Sequence, residues 1–399
     1  MKSGTVPGNR SRSILVTDGY WRKTLAIIRA LGKEGISLSV GERTSLAPTF
    51  FSRYVSRRII YPSPKKRPEE FLSFLLDLVK KRRFDLILTP EEFTSILLAR
   101  HRNAFEPYTA VPLPSVEALE LASDKLRLIR HAEDIGIPCP KTFYPKNNQD
   151  LHAIAGNIDF PAVIKPRHGT GAYGVRYVNN KSELLDQYPV VCKRFSRPMI
   201  QEFIPGRQRM FGVSLLFNHG LVPRACFVHR KVREFPVQGG ASTLRESVEF
   251  PYLLDLSVEL LKSLKWYGIA NVEFKLDPRD GRPKLMELNP RFWGSLHLAI
   301  KAGVNFPYLL YRMVTEGDVE PVFHYKTGIR CRWLFYGDLL CFLSKLRQKR
   351  WDWDFFRFLE PTTSSLEIMD WDDPLPFFGT LLSWLAFPFD RNLIKNIFH

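Results

Sequence analysis

The chain has 399 residues, 45% of them hydrophobic and 25% charged, which is the composition of a globular protein with room for two or three domains. No segment reaches the roughly 18 uncharged apolar residues of a membrane span, and the apolar run near the N-terminus is too short for a signal peptide. The formal net charge of +17 favours anionic partners, but the basic clusters are short and do not alternate with aromatic residues, so we expect a basic solvated surface and no specific nucleic acid partner.

The first part of the chain alternates short apolar runs with helical patterns. In order, it predicts a strand at residues 13–17, a helix through Leu25, Ile28 and Leu31, a strand at 36–40, a helix at 69–81 and a strand at 85–89. We therefore predict a basic tail at residues 1–12 and a Rossmann-like, doubly wound α/β domain at residues 13–115. Its first strand–helix turn lacks GxGxxG, so a dinucleotide is not indicated.

From residue 116 the pattern is that of an antiparallel α+β region. A helical stretch at 115–136 and a Pro-rich linker precede predicted strands at 161–166, 174–178, 198–204, 211–217 and 222–229, a helix at 253–264, strands at 271–276 and 284–288, and a helix at 295–302.

The tail at residues 319–399 is rich in Trp and Phe. Residues 377–389 carry no charge over 13 positions, which is too short a run to cross a bilayer. This segment fits either a helix docked on the body of the protein or an interfacial helix on an anionic membrane. The five cysteines are scattered without a CxxC pair, which favours a reducing, cytoplasmic location without a disulfide framework or zinc site.

Lys165 ends an apolar strand and is followed by Gly169, Gly171 and Gly174. Glycines permit close backbone approach, and a lysine beside them can hold phosphate oxygens. The same residues also fit a flexible hairpin with an exposed lysine. They do not form a Walker loop, because the lysine precedes the glycines.

Residues 271–295 predict two antiparallel strands that bring Glu273, Glu287 and Asn289 to one face. Carboxylate and amide oxygens suit Mg²⁺, and Arg291 continues the row where it could neutralise a transferring phosphoryl group. The alternative is a hairpin with a polar face, but the buried aromatic residues that follow favour a site.

The order of these segments, with residues 200–206 (IQEFIPG) between them, resembles the ATP-grasp superfamily, in its carboxylate–amine (carboligase-like) branch. The resemblance covers residues from about 13 to 315 and implies a two-lobed ATP-grasp domain at residues 116–318, with a small lobe at about 140–203 and a large lobe at about 204–318. It implies ATP and Mg²⁺ as cofactors, with Mn²⁺ as a possible substitute.

The resemblance also implies roles for single residues. Lys125 and Lys165 would contact phosphates, and the segment Gly169, Thr170, Gly171, Ala172 and Gly174 would be a mobile lid. Glu202 and the backbone of Phe203 and Ile204 would bind adenine, with Gln208 nearest the ribose in place of the usual acidic residue. Glu273, Glu287 and Asn289 would bind Mg²⁺, while Arg291 and Lys165 would be catalytic.

The implied function is the ATP-dependent activation of a small-molecule carboxylate as an acyl phosphate for attack by an amine. The segment 229–243 is the candidate substrate loop, through Arg230, Arg233, Gly240 and Ser242. The alternative is a non-catalytic nucleotide-binding module that is peripheral to a membrane through its C-terminal segment. The sequence leaves the oligomeric state and the identity of the substrates open.

Overall fold

The computed structural model describes residues 12–169, 173–206, 208–235, 240–347 and 365–385. They fall into two compact units. The first comprises the described residues of Met1–Leu113, Pro307–Val319 and Ile368–Ala386, and the second those of Pro114–Phe306 and Glu320–Glu367.

The helices and strands have the following bounds. The described helices are α1 (Arg22–Lys33), α2 (Pro68–Lys81), α3 (Glu92–Arg100), α4 (Arg102–Phe105), α5 (Val116–Ser123), α6 (Lys125–Asp134), α7 (Asn148–Asn157), α8 (Lys181–Arg194), α9 (Pro251–Ser263), α10 (Leu296–Ala302), α11 (Phe306–Glu316), α12 (Leu339–Arg347) and α13 (Leu375–Leu385), with a 3-10 helix at Pro48–Phe51 and a π-helix at Leu334–Asp338. The described strands are β1 (Ser13–Val16), β2 (Ser37–Glu42), β3 (Val55–Ile60), β4 (Leu86–Leu88), β5 (Thr142–Phe143), β6 (Ala162–Lys165), β7 (Arg176–Val178), β8 (Met199–Glu202), β9 (Met210–Phe217), β10 (Pro223–Phe235), β11 (Ala241–Ser247), β12 (Gly268–Leu276), β13 (Pro283–Asn289), β14 (Arg330–Arg332) and β15 (Ser365–Leu366).

The first unit is built on a parallel sheet with strand order β3-β2-β1-β4. Ile14, Leu15 and Val16 of β1 are fully buried, as expected for a parallel sheet covered on both faces. This confirms the predicted Rossmann-like α/β fold. The edge strand β3 was not predicted, because exposed Arg57 and Arg58 interrupt its apolar pattern.

The second unit contains two antiparallel sheets among its described residues. The smaller has the order β5-β8-β6-β7, and α7 and α8 pack on it through a core that includes Leu151, Ile164 and Leu184. The larger has the order β13-β12-β9-β10-β11-β14-β15, with the last pair parallel. Two sheets with helices packed against them confirm the predicted α+β region.

Two local expectations differ from the structure. The helix predicted over residues 115–136 is broken at Asp124, which adopts an extended conformation and caps α6 by accepting hydrogen bonds from the backbone N–H groups of Leu126 and Arg127. In the predicted substrate loop at 229–243, the residues from Ala241 onward form a strand, because β11 pairs with β10. The predicted domain bounds themselves remain a prediction.

The C-terminal part of the first unit is held by charge and by close packing. Asp373 accepts hydrogen bonds from Arg29 Nε at 2.9 Å and Ser52 Oγ at 2.8 Å. On α13, a Cβ at Gly379 would lie 2.4 Å from the Phe51 ring, so only glycine allows this contact. Residues 386–390 of the predicted tail helix lie outside the described residues. Within the described part of the chain, every helix is too short or too polar to cross a bilayer.

Candidate functional site

Three predicted metal ligands lie together on the polar face of β12 and β13. Glu273 and Glu287 are directly opposite each other across the two strands, and Asn289 follows two positions later on the same face. Asn289 Nδ2 lies 3.4 Å from Glu273 Oε1 and 3.3 Å from Glu287 Oε1. Two carboxylates this close repel each other, so the pair requires a compensating positive charge.

Two lysines supply that charge. Lys231 Nζ on β10 lies 2.5 Å from Glu273 Oε2, and Lys125 Nζ lies 3.7 Å from Glu287 Oε2. Sequence reasoning singled out Arg230 and missed Lys231. The available signal was strand alternation, which places Lys231 on the same face as His229.

The pKa values of the two carboxyl groups move in opposite directions. Burial raises the pKa of Glu273, and the adjacent charge of Glu287 raises it further against the effect of Lys231. Burial also opposes the charge of Glu287, but Lys125, Lys231 and Arg291 together outweigh it and lower that pKa. The arrangement therefore favours keeping Glu287 ionised.

This set of oxygen donors fits Mg²⁺. Two carboxylates and one amide oxygen are hard ligands, and Mg²⁺ completes its shell with water and substrate phosphates. Asn289 directs its Nδ2 at the carboxylates, so its amide must rotate to present the oxygen to a metal. In the described residues, no group of three or more His, Cys, Asp or Glu side chains forms a site for a metal ion by itself.

Lys165 stands at the end of β6 and faces the same region. Its Nζ donates to Gln201 Oε1 at 2.7 Å. Burial, reinforced by the positive charges of Lys125 and Lys275 and opposed by Glu287, lowers the pKa of Lys165 to about 8. A partly neutral ammonium group in this position would gain charge on meeting an anion.

The start of α6 positions Lys125. Arg167 forms an ion pair with Asp124, the capping residue, and the Lys125 N–H donates to the Arg167 carbonyl at 3.0 Å. Lys125 Nζ donates to the Gly169 carbonyl at 2.6 Å. The helix cap and the glycine segment therefore hold Lys125 from two sides.

The predicted lid is described only at its ends. Gly169 and Gly174 have φ values of 115° and 78°, which favour glycine, and a Cβ at Gly174 would lie 2.4 Å from the Phe195 ring. Thr170, Gly171 and Ala172 lie outside the described residues.

The predicted adenine segment is held in place by Glu202. Its Oε1 accepts from the Lys141 N–H at 2.9 Å, and its Oε2 accepts from Arg279 at 3.0 Å. Phe203 meets Tyr177 edge to face, and Ile204 is buried. Gln208 has a φ of 56°, so the chain turns at the position predicted to lie nearest the ribose.

The predicted substrate residues have partners within the second unit. Arg230 donates to Glu246 at 2.6 Å, and Arg233 donates to both oxygens of Asp338 at 2.7 and 2.6 Å. The Ser242 hydroxyl donates to the Arg233 carbonyl at 3.3 Å. Gly240 is buried, and residues 236–239 of this loop lie outside the described residues. The substrate role of these residues stays a prediction.

Arg291 follows β13 in a segment that is held by hydrogen bonds and by buried neighbouring side chains. Arg291 Nη1 donates to the Phe292 carbonyl at 3.0 Å, and Phe292 is 2% exposed. His229 Nε2 lies 3.1 Å from Ser295 Oγ, and a Cβ at Gly212 would lie 2.2 Å from the His229 ring. Burial lowers the pKa of His229 well below its ordinary value, so the imidazole is neutral.

Comparison with known families identifies the same regions. Residues 194–335 match the model "ATP-grasp in the biosynthetic pathway with Ter operon", and residues 124–202 match "Carbamoyl-phosphate synthase L chain, ATP binding domain". Together the two models span β5 to β14, including the polar face of β12 and β13.

The chain is also similar to curated proteins and to solved structures. The chain is 25% identical over 296 residues to D-aspartate ligase of Enterococcus faecium (strain Aus0004), covering 69% of each, and 26% identical over 222 residues to D-alanine–D-alanine ligase of Pseudomonas entomophila (strain L48), covering 53% of this chain and 68% of the relative. The biotin carboxylase domain of Hydrogenobacter thermophilus 2-oxoglutarate carboxylase, solved with MgADP and bicarbonate, has a TM-score of 0.65 at 17% identity and covers 80% of this chain and 73% of that one. The fold match confirms the predicted two-lobed architecture.

Proposed function

We propose that the chain is an ATP-dependent carboxylate–amine ligase of the ATP-grasp superfamily, and that the polar face of β12 and β13 is its metal and phosphate site. The observation that carries the proposal is the row of Glu273, Glu287 and Asn289 with a lysine at each carboxylate. Glu273, Glu287 and Asn289 hold Mg²⁺, which neutralises phosphate charge when it is bound.

The cationic side chains have separate tasks. Lys125 and Lys165 bind phosphate oxygens of ATP from the side of the glycine segment. Arg291 neutralises the charge that develops on the phosphoryl group during transfer. Lys231 balances the acidic pair and lies where it can contact the same group.

The reaction proceeds through activation of a carboxylate. A substrate carboxylate oxygen takes the γ-phosphoryl group, and ADP leaves. The amine nitrogen then attacks the acyl carbon, the carbon–oxygen bond to phosphate breaks, and the amine proton passes to solvent. This chemistry needs positioning and charge neutralisation and no protein nucleophile.

We propose an amino acid as the amine substrate. Both curated relatives named above are ligases of amino acids. Arg230 and Arg233, with Gly240 and Ser242, are the candidates for the carboxylate side, although each arginine must exchange its present acidic partner to bind one.

The test is an ADP-release assay on purified protein with Mg²⁺-ATP and pairs of amino acids and carboxylic acids, with the amide product identified by mass spectrometry. Glu287→Gln should lower kcat by about 10²-fold or more, because one ligand loses its charge. Glu259→Gln, on α9, is the matched control and should retain activity.

The outcome that contradicts this assignment is equal ADP release from Glu287→Gln and the wild type. Absence of any amide with every pair, with normal ATP binding, would favour the alternative of a non-catalytic nucleotide-binding module. A cytoplasmic location remains part of the proposal.

A further inference from the structure

Among the side chains of α13 whose burial the structure describes, three large apolar ones lie on the exposed side of the helix. The small residues Pro376, Gly379 and Ser383 are buried, and Phe377 and Leu381 are half-buried. Leu375, Phe378 and Leu382 point outward and are 57%, 55% and 50% exposed. A helix that served only to close the core of its own unit would bury its large apolar residues.

The segment before the helix extends this exposed surface. Trp371 is 86% exposed and Met369 is 37% exposed. Single exposed apolar residues are ordinary, but five large ones within fourteen positions form a contiguous candidate for contact. We call Met369, Trp371, Leu375, Phe378 and Leu382 the outer apolar surface.

Charge indicates which partner fits it. Within the helix no residue is charged, and the acidic residues just before it are paired: Lys33 lies 3.6 Å from Asp370 and 3.4 Å from Asp372. The same compact unit carries exposed basic clusters, which are Arg57-Arg58, Lys65-Lys66-Arg67 and Lys80-Lys81-Arg82-Arg83.

We propose that the outer apolar surface docks on an anionic lipid membrane. Phe378 and Leu382 on one side of α13, with Trp371 before it, are residue types that enter the headgroup region, and basic clusters add attraction to anionic lipids. A second copy of the chain fits less well, because two basic units repel each other. This inference is independent of the proposed reaction and adds a location to it.

The experiment is flotation of the full-length protein with vesicles of phosphatidylcholine, with and without phosphatidylglycerol. Wild type should float with the anionic vesicles and much less with the neutral ones. The triple variant Trp371→Ser, Phe378→Ser, Leu382→Ser should bind the anionic vesicles about tenfold more weakly. Tyr252→Ser removes an equally exposed apolar side chain, 50% exposed on α9, and should bind like wild type.

Several results would overturn the proposal. These are equal flotation of the triple variant and the wild type, no flotation of the wild type, or a wild-type dimer in lipid-free light scattering that the triple variant converts to a monomer. Circular dichroism and thermal unfolding verify that the triple variant is folded. A charge-reversal variant, Lys65→Glu with Lys66→Glu, provides an independent measurement, since it should weaken binding to the anionic vesicles while leaving the apolar surface intact.

Discussion

Lys231 Nζ lies 2.5 Å from Glu273 Oε2, although the two residues are on strands separated by β9 in the large sheet. Both side chains are mostly buried, with 12% and 13% of their surface exposed. In the proposed site, Mg²⁺ would bind the same carboxylate that this ammonium group contacts. We therefore expect metal binding and this ion pair to be linked.

The first prediction concerns that link. Lys231→Met leaves Glu273 and Glu287 facing each other without this cation and should reduce the free energy of unfolding by about 3 kcal/mol in the absence of metal. Millimolar Mg²⁺ should restore part of the loss, because it neutralises the same carboxylates. Urea unfolding with EDTA and with Mg²⁺ measures both effects.

Lys284→Met is the control for Lys231→Met. Lys284 forms an ion pair with Asp280, whose side chain is 41% exposed. Its removal should cost less than about 1 kcal/mol, and Mg²⁺ should make no difference. An equal response of the two variants to Mg²⁺ would contradict the assignment of the metal site.

The second prediction is a pH dependence of ATP binding. The pKa of Lys165 is lowered to about 8, and a bound phosphate would stabilise the charged form. ATP affinity should therefore fall as the pH rises above about 8, with proton uptake on binding. Isothermal titration calorimetry in buffers of different ionisation enthalpy detects that uptake. Lys165→Arg stays charged and should remove the dependence; an unchanged pH profile in this variant would speak against a phosphate contact.

The third prediction concerns the first unit. Burial, with the charges of Glu91 and Glu42, raises the pKa of Asp18 to about 7 from 3.8. The neutral carboxyl is favoured in the fold, so its contribution to stability is complete below pH 3.8 and is lost as the pH rises to 7. The loss amounts to about 4 kcal/mol at most. Guanidinium unfolding of the wild type and of Asp18→Asn is measured between pH 4 and pH 8. The free energy of unfolding should change less with pH in the variant.

Asp77→Asn, at an exposed position on α2, is the control for Asp18→Asn and should follow the wild-type curve. If the free energy of unfolding depends on pH equally in the wild type and in Asp18→Asn, the raised pKa does not belong to Asp18.

The fourth prediction tests how the segment after β13 is supported. Gly212→Ala places a Cβ 2.2 Å from the His229 ring, so the ring must move and its contact with Ser295 must change. We expect the free energy of unfolding to fall by about 1–3 kcal/mol. The kcat for ADP release should fall by a larger factor than that by which the KM for ATP changes. Gly156→Ala on α7 meets nothing within 4 Å and should be neutral or slightly stabilising. Wild-type kcat in Gly212→Ala would show that this segment tolerates movement of His229.

Much of the fold follows from local patterns. The buried runs of β1 and β4 and the alternation in β12 and β13 are visible without coordinates, because strand side chains alternate and buried parallel strands are continuously apolar. The edge strand β3 was missed since Arg57 and Arg58 are exposed there. The break at Asp124 could have been predicted from its preference for helix caps.

For the site, the sequence by itself determined that Glu287 and Asn289 share one strand face and that Lys165 ends a strand before a glycine segment, since both are consequences of local backbone geometry. Only the tertiary structure decided that Lys231 neutralises Glu273, that Arg233 is paired with Asp338, and that α13 exposes Leu375, Phe378 and Leu382. These relationships join residues far apart in the chain. They depend on strand order and packing, which residue spacing does not encode.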